Sequence, residues 1–367
     1  MMNQKINILP APTWNRTGVN WAGEAAALPT TAAFGRNGAK LCLSGVSEGV
    51  TVLSDTLPTP CAGIESGMGA AVDQFVLNNA NAACFLTVEG AAAQPVVLDY
   101  TLDDACPELA AHLGIYAKSG SSVTVVEVCR GDAAGGACAS LAQIYAEKDA
   151  KVRLIQLQFL GNACRRWCAV GARAEAGATV ELVRSELGGA LTACGSRTLL
   201  EGRGSSYLLD AVYYGDGNRV LDFNDTAVHT GAETMSELHT AGILDDESQK
   251  IFRGTIDFRR GSARAVGHES EDVLLLSPTA RNRTTPLILC GEEKVEGQHA
   301  ATVGRLDEGQ LYYMASRGLS PAQAQRLLVE ARFAPVLDKI PLENLRAEIM
   351  DYVGRRLDAH ANAESVV

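Results

Sequence analysis

A chain of 367 residues can hold two or three modest domains, or one elongated repeat domain with capping pieces. Its formal charge of -11 excludes a nucleic-acid surface, which needs a basic stripe to meet phosphates, and points to an acidic soluble protein. Hydrophobic residues reach 47% but aromatics only 5%, and 36 glycines accompany them, so the apolar content is Ala, Val and Leu suited to many short strands and tight turns.

The opening Met1-Met2-Asn3-Gln4-Lys5 lacks the apolar stretch of a signal peptide, and nowhere does an apolar run reach the length of a membrane helix. No membrane association is expected, and the expected compartment is the cytoplasm. Leu9-Pro10-Ala11-Pro12-Thr13-Trp14 reads as an extended segment, because each proline fixes its own φ and turns the preceding residue away from helix. A capping region follows over residues 1–90, with its clearest helix at Gly67 to Ala80.

From residue 91 to 308 the pattern becomes short runs of period two. Ser122-Val123-Thr124-Val125-Val126-Glu127-Val128, Val152 to Leu160, Ala178 to Arg184 and Thr255-Ile256-Asp257-Phe258 are examples, separated by Gly-Asp, Gly-Gly and Asp-Gly-Asn turns. Strands this short and numerous, without intervening helices, suit a solenoid of β-coils or a large sandwich, and the lack of long loops favours the solenoid. Beyond it, residues 309–367 are helical. Ser320 is an N-cap with Pro321 at the first helical position, and Leu342, Leu345, Ile349 and Val353 fall on one face of a second helix. A helical pair here is expected to cover the open end of a solenoid, or to dock a partner with its outer face.

Ten cysteines, scattered in a chain too long to need disulfide staples, fit free thiols in a reducing compartment. Apolar neighbours, as in Ala83-Cys84-Phe85, mark most as small core residues. Cys164-Arg165-Arg166-Trp167-Cys168 sets two thiols on one strand face with Arg166 between them. The spacing is wrong for a zinc ribbon, and ordinary packing is the simpler reading against metal or persulfide chemistry. His229 and His239, near Asp222, Asp225 and Glu237, read as a turn network at the surface more readily than as a metal site. A carbohydrate-active β-helix enzyme would need paired carboxylates along an aromatic groove, which this composition does not supply. Hexapeptide repeats of an acyltransferase are absent.

Six segments occur in a characteristic order: Val228-His229-Thr230-Gly231, Lys250-Ile251-Phe252-Arg253-Gly254, Val273-Leu274-Leu275-Leu276-Ser277, Thr285-Pro286, His299-Ala300-Ala301-Thr302-Val303-Gly304 and Tyr313-Met314-Ala315-Ser316-Arg317-Gly318. In this order they resemble the SufB/SufD family of iron-sulfur cluster assembly proteins, and the Leu-Pro-Ala-Pro-Thr-Trp opening looks like that of short SufD-type members. The middle of the chain before residue 200 matches only in style. The resemblance implies a mainly β chain with a right-handed parallel β-helix core, flanked by N-terminal and C-terminal helical regions. It implies a non-catalytic scaffold that pairs with a second SufB/SufD-type subunit, as homodimer or heterodimer, and docks a SufC-type ABC ATPase through residues 309–367. The complex would build and transfer an iron-sulfur cluster. No nucleotide is expected on this chain, which has no Gly-x-x-x-x-Gly-Lys-Ser/Thr loop.

His299 is the foremost site residue the resemblance implies, because the matching histidine lies near the subunit interface and is implicated in cluster formation. Neutral imidazole is a competent iron ligand. Alternation puts His299 on the face of Val295, Ala301 and Val303, an apolar inward face where a histidine is equally a hydrogen-bonded core residue. Cys290 and Glu296 lie near it in sequence, and the three together form a candidate iron or Fe-S ligand set; alone, Cys290 reads as a buried small hydrophobe. SufB-type members carry a cysteine shortly before the proline of the Thr279–Pro286 segment and a glutamate directly after the histidine. Here that segment has no cysteine and Ala300 follows His299, so the chain looks SufD-like at these positions.

Overall fold

The computed structural model describes residues 5–29 and 39–364; residues 1–4, including most of the opening segment read above, lie outside the described residues, as do 30–38 and 365–367. Two nine-stranded sheets dominate. From Ala82–Val88 to Glu296–Arg305 successive strands alternate between the sheets, and from Glu108–Ala117 onward each pairs in parallel with the strand two before it. That connectivity is a parallel β-solenoid of about 30 residues per coil. Two earlier strands, Lys40–Ser44 and Val50–Leu53, close its first coil by antiparallel pairing. The period-two runs are therefore strands of one solenoid, and the sandwich alternative falls.

Alternation places every second side chain between the sheets. Along one edge that space is apolar, as in Val125, Leu154, Leu182 and Leu209 on the first sheet facing Ile144 and Ala172 on the second. Burying each of the larger side chains contributes about 1.5–3 kcal/mol. Along the other edge the inward positions are polar or thiol-bearing: Glu127, Gln156 and Arg184 on the first sheet, Cys138, Arg166 and Cys168 on the second.

The outward faces are apolar as well, and each is covered. On the first sheet, Val128, Leu157, Val183 and Val212 pack under the helices Pro321–Leu337 and Glu343–Glu364, through Val329, Phe333, Ile349 and Val353. Ser320 makes the anticipated capping box with Gln323. Ion pairs Arg130–Glu348 (2.5 Å) and Arg332–Asp272 (3.1 Å) add to the seam. The helical pair thus lies flat on a sheet face instead of closing the open end as expected. The reason is that the strands beneath offer a continuous apolar surface, which an end made of two edge strands cannot.

On the second sheet, the helix Ala70–Asn79 and residues 5–29, laid down as a strap, cover Ala139, Leu141, Trp167 and Ala193. The strap is held by directed bonds. Trp167 Nε1 donates to Ala26 O (2.9 Å), Asn7 Nδ2 to Asp222 Oδ1 (2.7 Å), and the buried Arg253 guanidinium to Val19 O and Asp222.

Candidate functional site

The final coil consists of Arg281–Cys290 and Glu296–Arg305, the edge strands of the two sheets. Among the described residues no strand pairs on their far side, so their outer backbone groups form an open edge. Pro286 is tolerated within such a strand because an edge can spare one N–H donor.

His299 is in register with Glu269, Ala301 with Glu271 and Val303 with Val273. Both glutamates are buried between the sheets, so the alternation read from sequence holds and His299 shares the inter-sheet face with Ala301 and Val303. That face is nevertheless exposed, and Val303 has 51% of its surface in solvent, because no coil stacks beyond it. Directly beneath, Lys250 is fully buried, bonds Glu271, and donates to Thr284 Oγ1 at 3.3 Å. Burial, with the nearby charges of Glu271 and Asp225, pushes the Glu269 carboxyl up to about 8. Burial likewise draws Lys250 down to about 8, against the pull of Glu271.

Cys290 ends its strand in register with Phe258 and is exposed, its Sγ 3.4 Å from Glu292 O. The small buried hydrophobe expected of it alone is not found. Glu296 opens the other strand, exposed, with Oε1 3.9 Å from His268 Nε2. All three sequence-derived residues thus sit on the last coil, but their ligand atoms do not converge. Among the described residues the one group of at least three ligand atoms within 4.8 Å of each other is Cys168, Glu186 and Cys194, fully inside the solenoid.

Glu186 and Cys194 went unnoticed in the sequence because only the coil register brings them to Cys168. Cys194 pairs with Cys168 across neighbouring coils, and Glu186 faces them from the other sheet. A coil-length repeat of about 30 residues was the signal that could have aligned them. Arg166 does stand next to Cys168, with Nη2 3.4 Å from its Sγ, and it also meets Cys138 Sγ at 3.9 Å and a Glu186 carboxylate oxygen at 3.4 Å. Cys164 turns instead to Ala133 O (3.4 Å).

The remaining family-like segments hold the fold together. His229 is buried, not at the surface; its ring nitrogens meet Thr234 Oγ1 (2.8 Å) and Ser236 Oγ (2.9 Å), and burial draws it down to about 4. Asp225 pairs with Arg184 at 2.6 Å in the interior, and Asp222 with Arg253 at 2.6 Å under the strap, so neither belongs to a surface turn. In Phe252-Arg253-Gly254 the phenyl ring is interior, the guanidinium pins the strap, and a Cβ at Gly254 would collide with the Glu269 carboxylate.

The C-terminal helices leave a second feature, an apolar groove of about 500 Å³ between them, lined by Leu327, Ala331, Ala334, Leu337, Ala347 and Met350. Next to it in sequence the helix Glu308–Ser316 exposes Tyr312 and Tyr313. No described helix is long and apolar enough to cross a membrane.

Comparison with known proteins identifies this architecture. The family model described as "SUF system FeS cluster assembly, SufBD core domain" matches residues 100–332. The iron-sulfur cluster assembly protein SufD of Bacillus subtilis is 31% identical over 160 residues, 44% of this chain and 37% of that protein. SufD of Escherichia coli is 28% identical over 176 residues, 48% of this chain and 41% of that protein. An iron-sulfur cluster assembly SufBD family protein of Staphylococcus saprophyticus is 25% identical over 231 residues, 62% of this chain and 50% of that protein. The matched stretch spans half or less of each of these relatives. The family match covers most of the solenoid and reaches into the first long C-terminal helix, and the chain therefore belongs to the SufB/SufD family of iron-sulfur cluster assembly proteins.

Proposed function

We propose that this chain is a SufD-like scaffold subunit of a SUF assembly complex, pairing through the open end of its solenoid with a second SufB/SufD-type subunit. The observation that carries the reading is the uncovered final coil: Arg281–Cys290 is half-buried, and Glu296–Arg305 is exposed along with the inter-sheet face that bears His299. A free edge of this length is a template for pairing with another chain. Antiparallel or parallel joining of two such ends would continue each sheet into the partner and enclose the exposed face. Cluster chemistry then belongs at that junction, with His299, Cys290 and Glu296 as this subunit's contribution to an iron or Fe-S cargo; because they do not meet within one chain, the partner completes the ligand set. A SufC-type ATPase docks on the C-terminal helices, where the apolar groove and Tyr312 and Tyr313 are exposed, and ATP is hydrolysed on that partner.

Two measurements test this. Co-expression with a SufC-type ATPase, alone and with a SufB-type subunit, followed by sizing of the complex, is expected to recover an assembly containing two SufB/SufD-type chains. Recovery of a monomer with no ATPase attached would sink the proposal. His299→Ala in the same complex is expected to leave assembly intact and lower the amount of cluster formed from iron and sulfide. Undiminished cluster formation would make the chain a purely structural partner of a SufB-type subunit.

A further inference from the structure

We propose that Cys168, Cys194 and Glu186 form a buried site for one thiophilic divalent cation, zinc or ferrous iron, halfway along the solenoid. The site is distinct from the open end and independent of the role given to His299.

The geometry comes first. The ladder aligns Ser140, Cys168 and Cys194 on three successive coils of the second sheet, so their side chains point the same way into the inter-sheet space. Glu186 comes from the first sheet to face them, and the two Sγ atoms and a carboxylate oxygen lie within 4.8 Å of one another. Cysteines at matched positions of a parallel ladder are poised as two ligands of one ion. Two thiolates and a carboxylate are the donor set of a borderline cation such as Zn²⁺ or Fe²⁺.

A second, independent observation is where hydrogen bonding fails. Glu186 is 1% exposed, yet neither of its carboxylate oxygens makes a hydrogen bond of ordinary geometry; the donor beside it is the Cys194 thiol, whose proton a cation would replace. Its nearest cation, Arg166 Nε, stands 3.4 Å away without hydrogen-bond alignment and is itself unsatisfied. Buried groups of this kind are ordinarily paired. A cation between the thiols and the carboxylate would satisfy Glu186 directly.

Charge agrees. Arg166 and Arg184 are both buried here, and Asp225 already neutralises Arg184. With both thiols protonated, Glu186 and Asp225 already balance the two guanidiniums, so a divalent cation that enters as the two thiol protons leave keeps the net charge of the low-dielectric interior unchanged.

The test uses the full chain, expressed in media defined to contain zinc or ferrous iron and purified without oxygen, with metal counted per folded chain. About one ion per chain is expected in the parent and in the control Cys61→Ala. Cys168→Ser and Cys194→Ser are expected to lose it, and Arg166→Gln, a neighbour of the ligands, to weaken retention about 10–100-fold. X-ray absorption at the metal edge of the parent reads the ligands without any variant. Two sulfurs at about 2.3 Å support the site, and a shell of oxygen and nitrogen alone overturns it. A folded parent that carries no ion from either medium, or cysteine variants that retain it in full, also overturns the proposal.

Discussion

Arg253→Met probes how the N-terminal strap is bound to the solenoid. The guanidinium is fully buried, donates to Val19 O, and reaches Asp222 with Nη1 at 2.6 Å and Nη2 at 3.2 Å. Asp222 is 1% exposed, so removing its cation strands a carboxylate in the interior, a loss of about 3–5 kcal/mol. Asn7, which also bonds Asp222, would be left to hold the strap against that charge. Asp222→Asn in the same background relieves the stranded charge, so the double variant should recover about 1–3 kcal/mol relative to the sum of the single effects. Urea unfolding of the parent, both single variants and the double variant gives the cycle, and limited proteolysis within residues 5–29 reports release of the strap. A cost for Arg253→Met below about 1 kcal/mol, the value of an exposed pair, would refute the reasoning. Strict additivity in the cycle would refute it equally.

His229 makes stability fall in acid. Its folded value of about 4 lies below that of a free histidine, so its contribution is complete above about 6.5 and is lost as pH falls through 4, at a cost of about 3 kcal/mol. The unfolding midpoint of the parent should therefore approach that of His229→Asn between pH 7 and pH 4; a gap that stays constant contradicts the assignment. Phe333→Ala should cost about 3–5 kcal/mol, because the ring is fully buried where the C-terminal helices meet the first sheet. Urea unfolding measures it, and a cost under about 1 kcal/mol would mean that these helices are only loosely applied. For the same reason, truncation at Ser320 would strip an apolar sheet face as well as remove a dock, so ATPase binding is better mapped with exposed substitutions such as Leu327→Glu and Tyr313→Ala. Those are expected to weaken binding without lowering the unfolding midpoint, and unchanged binding in both would move the dock elsewhere.

Much of the architecture is written in local pattern. Period-two runs such as Val152 to Leu160 specify strands, because alternation of side chains is a property of the extended backbone itself. Ser320 and Pro321 specify a helix start because capping is satisfied within one turn. The ordered segments from His229 to Arg317 carried the family, yet they could not say what each residue does. His229 and Arg253 proved to be buried fastenings, one at the turn between consecutive strands and one for the strap.

What only the tertiary structure decided concerns neighbours about thirty residues apart, which no local period reveals. The coil register brought Cys194 to Cys168 and set Glu186 against both, while Cys164, nearer in sequence, turned away to Ala133. The exposure of His299 was settled the same way. Its inward face followed from alternation, but whether that face is core or surface depends on a further coil stacking upon it, and none of the described strands does. Sequence by itself determined the strands, the helix starts and the face each side chain takes, because backbone geometry is local. Stacking order, which is not local, determined which of those faces are buried and which thiols and carboxylates meet.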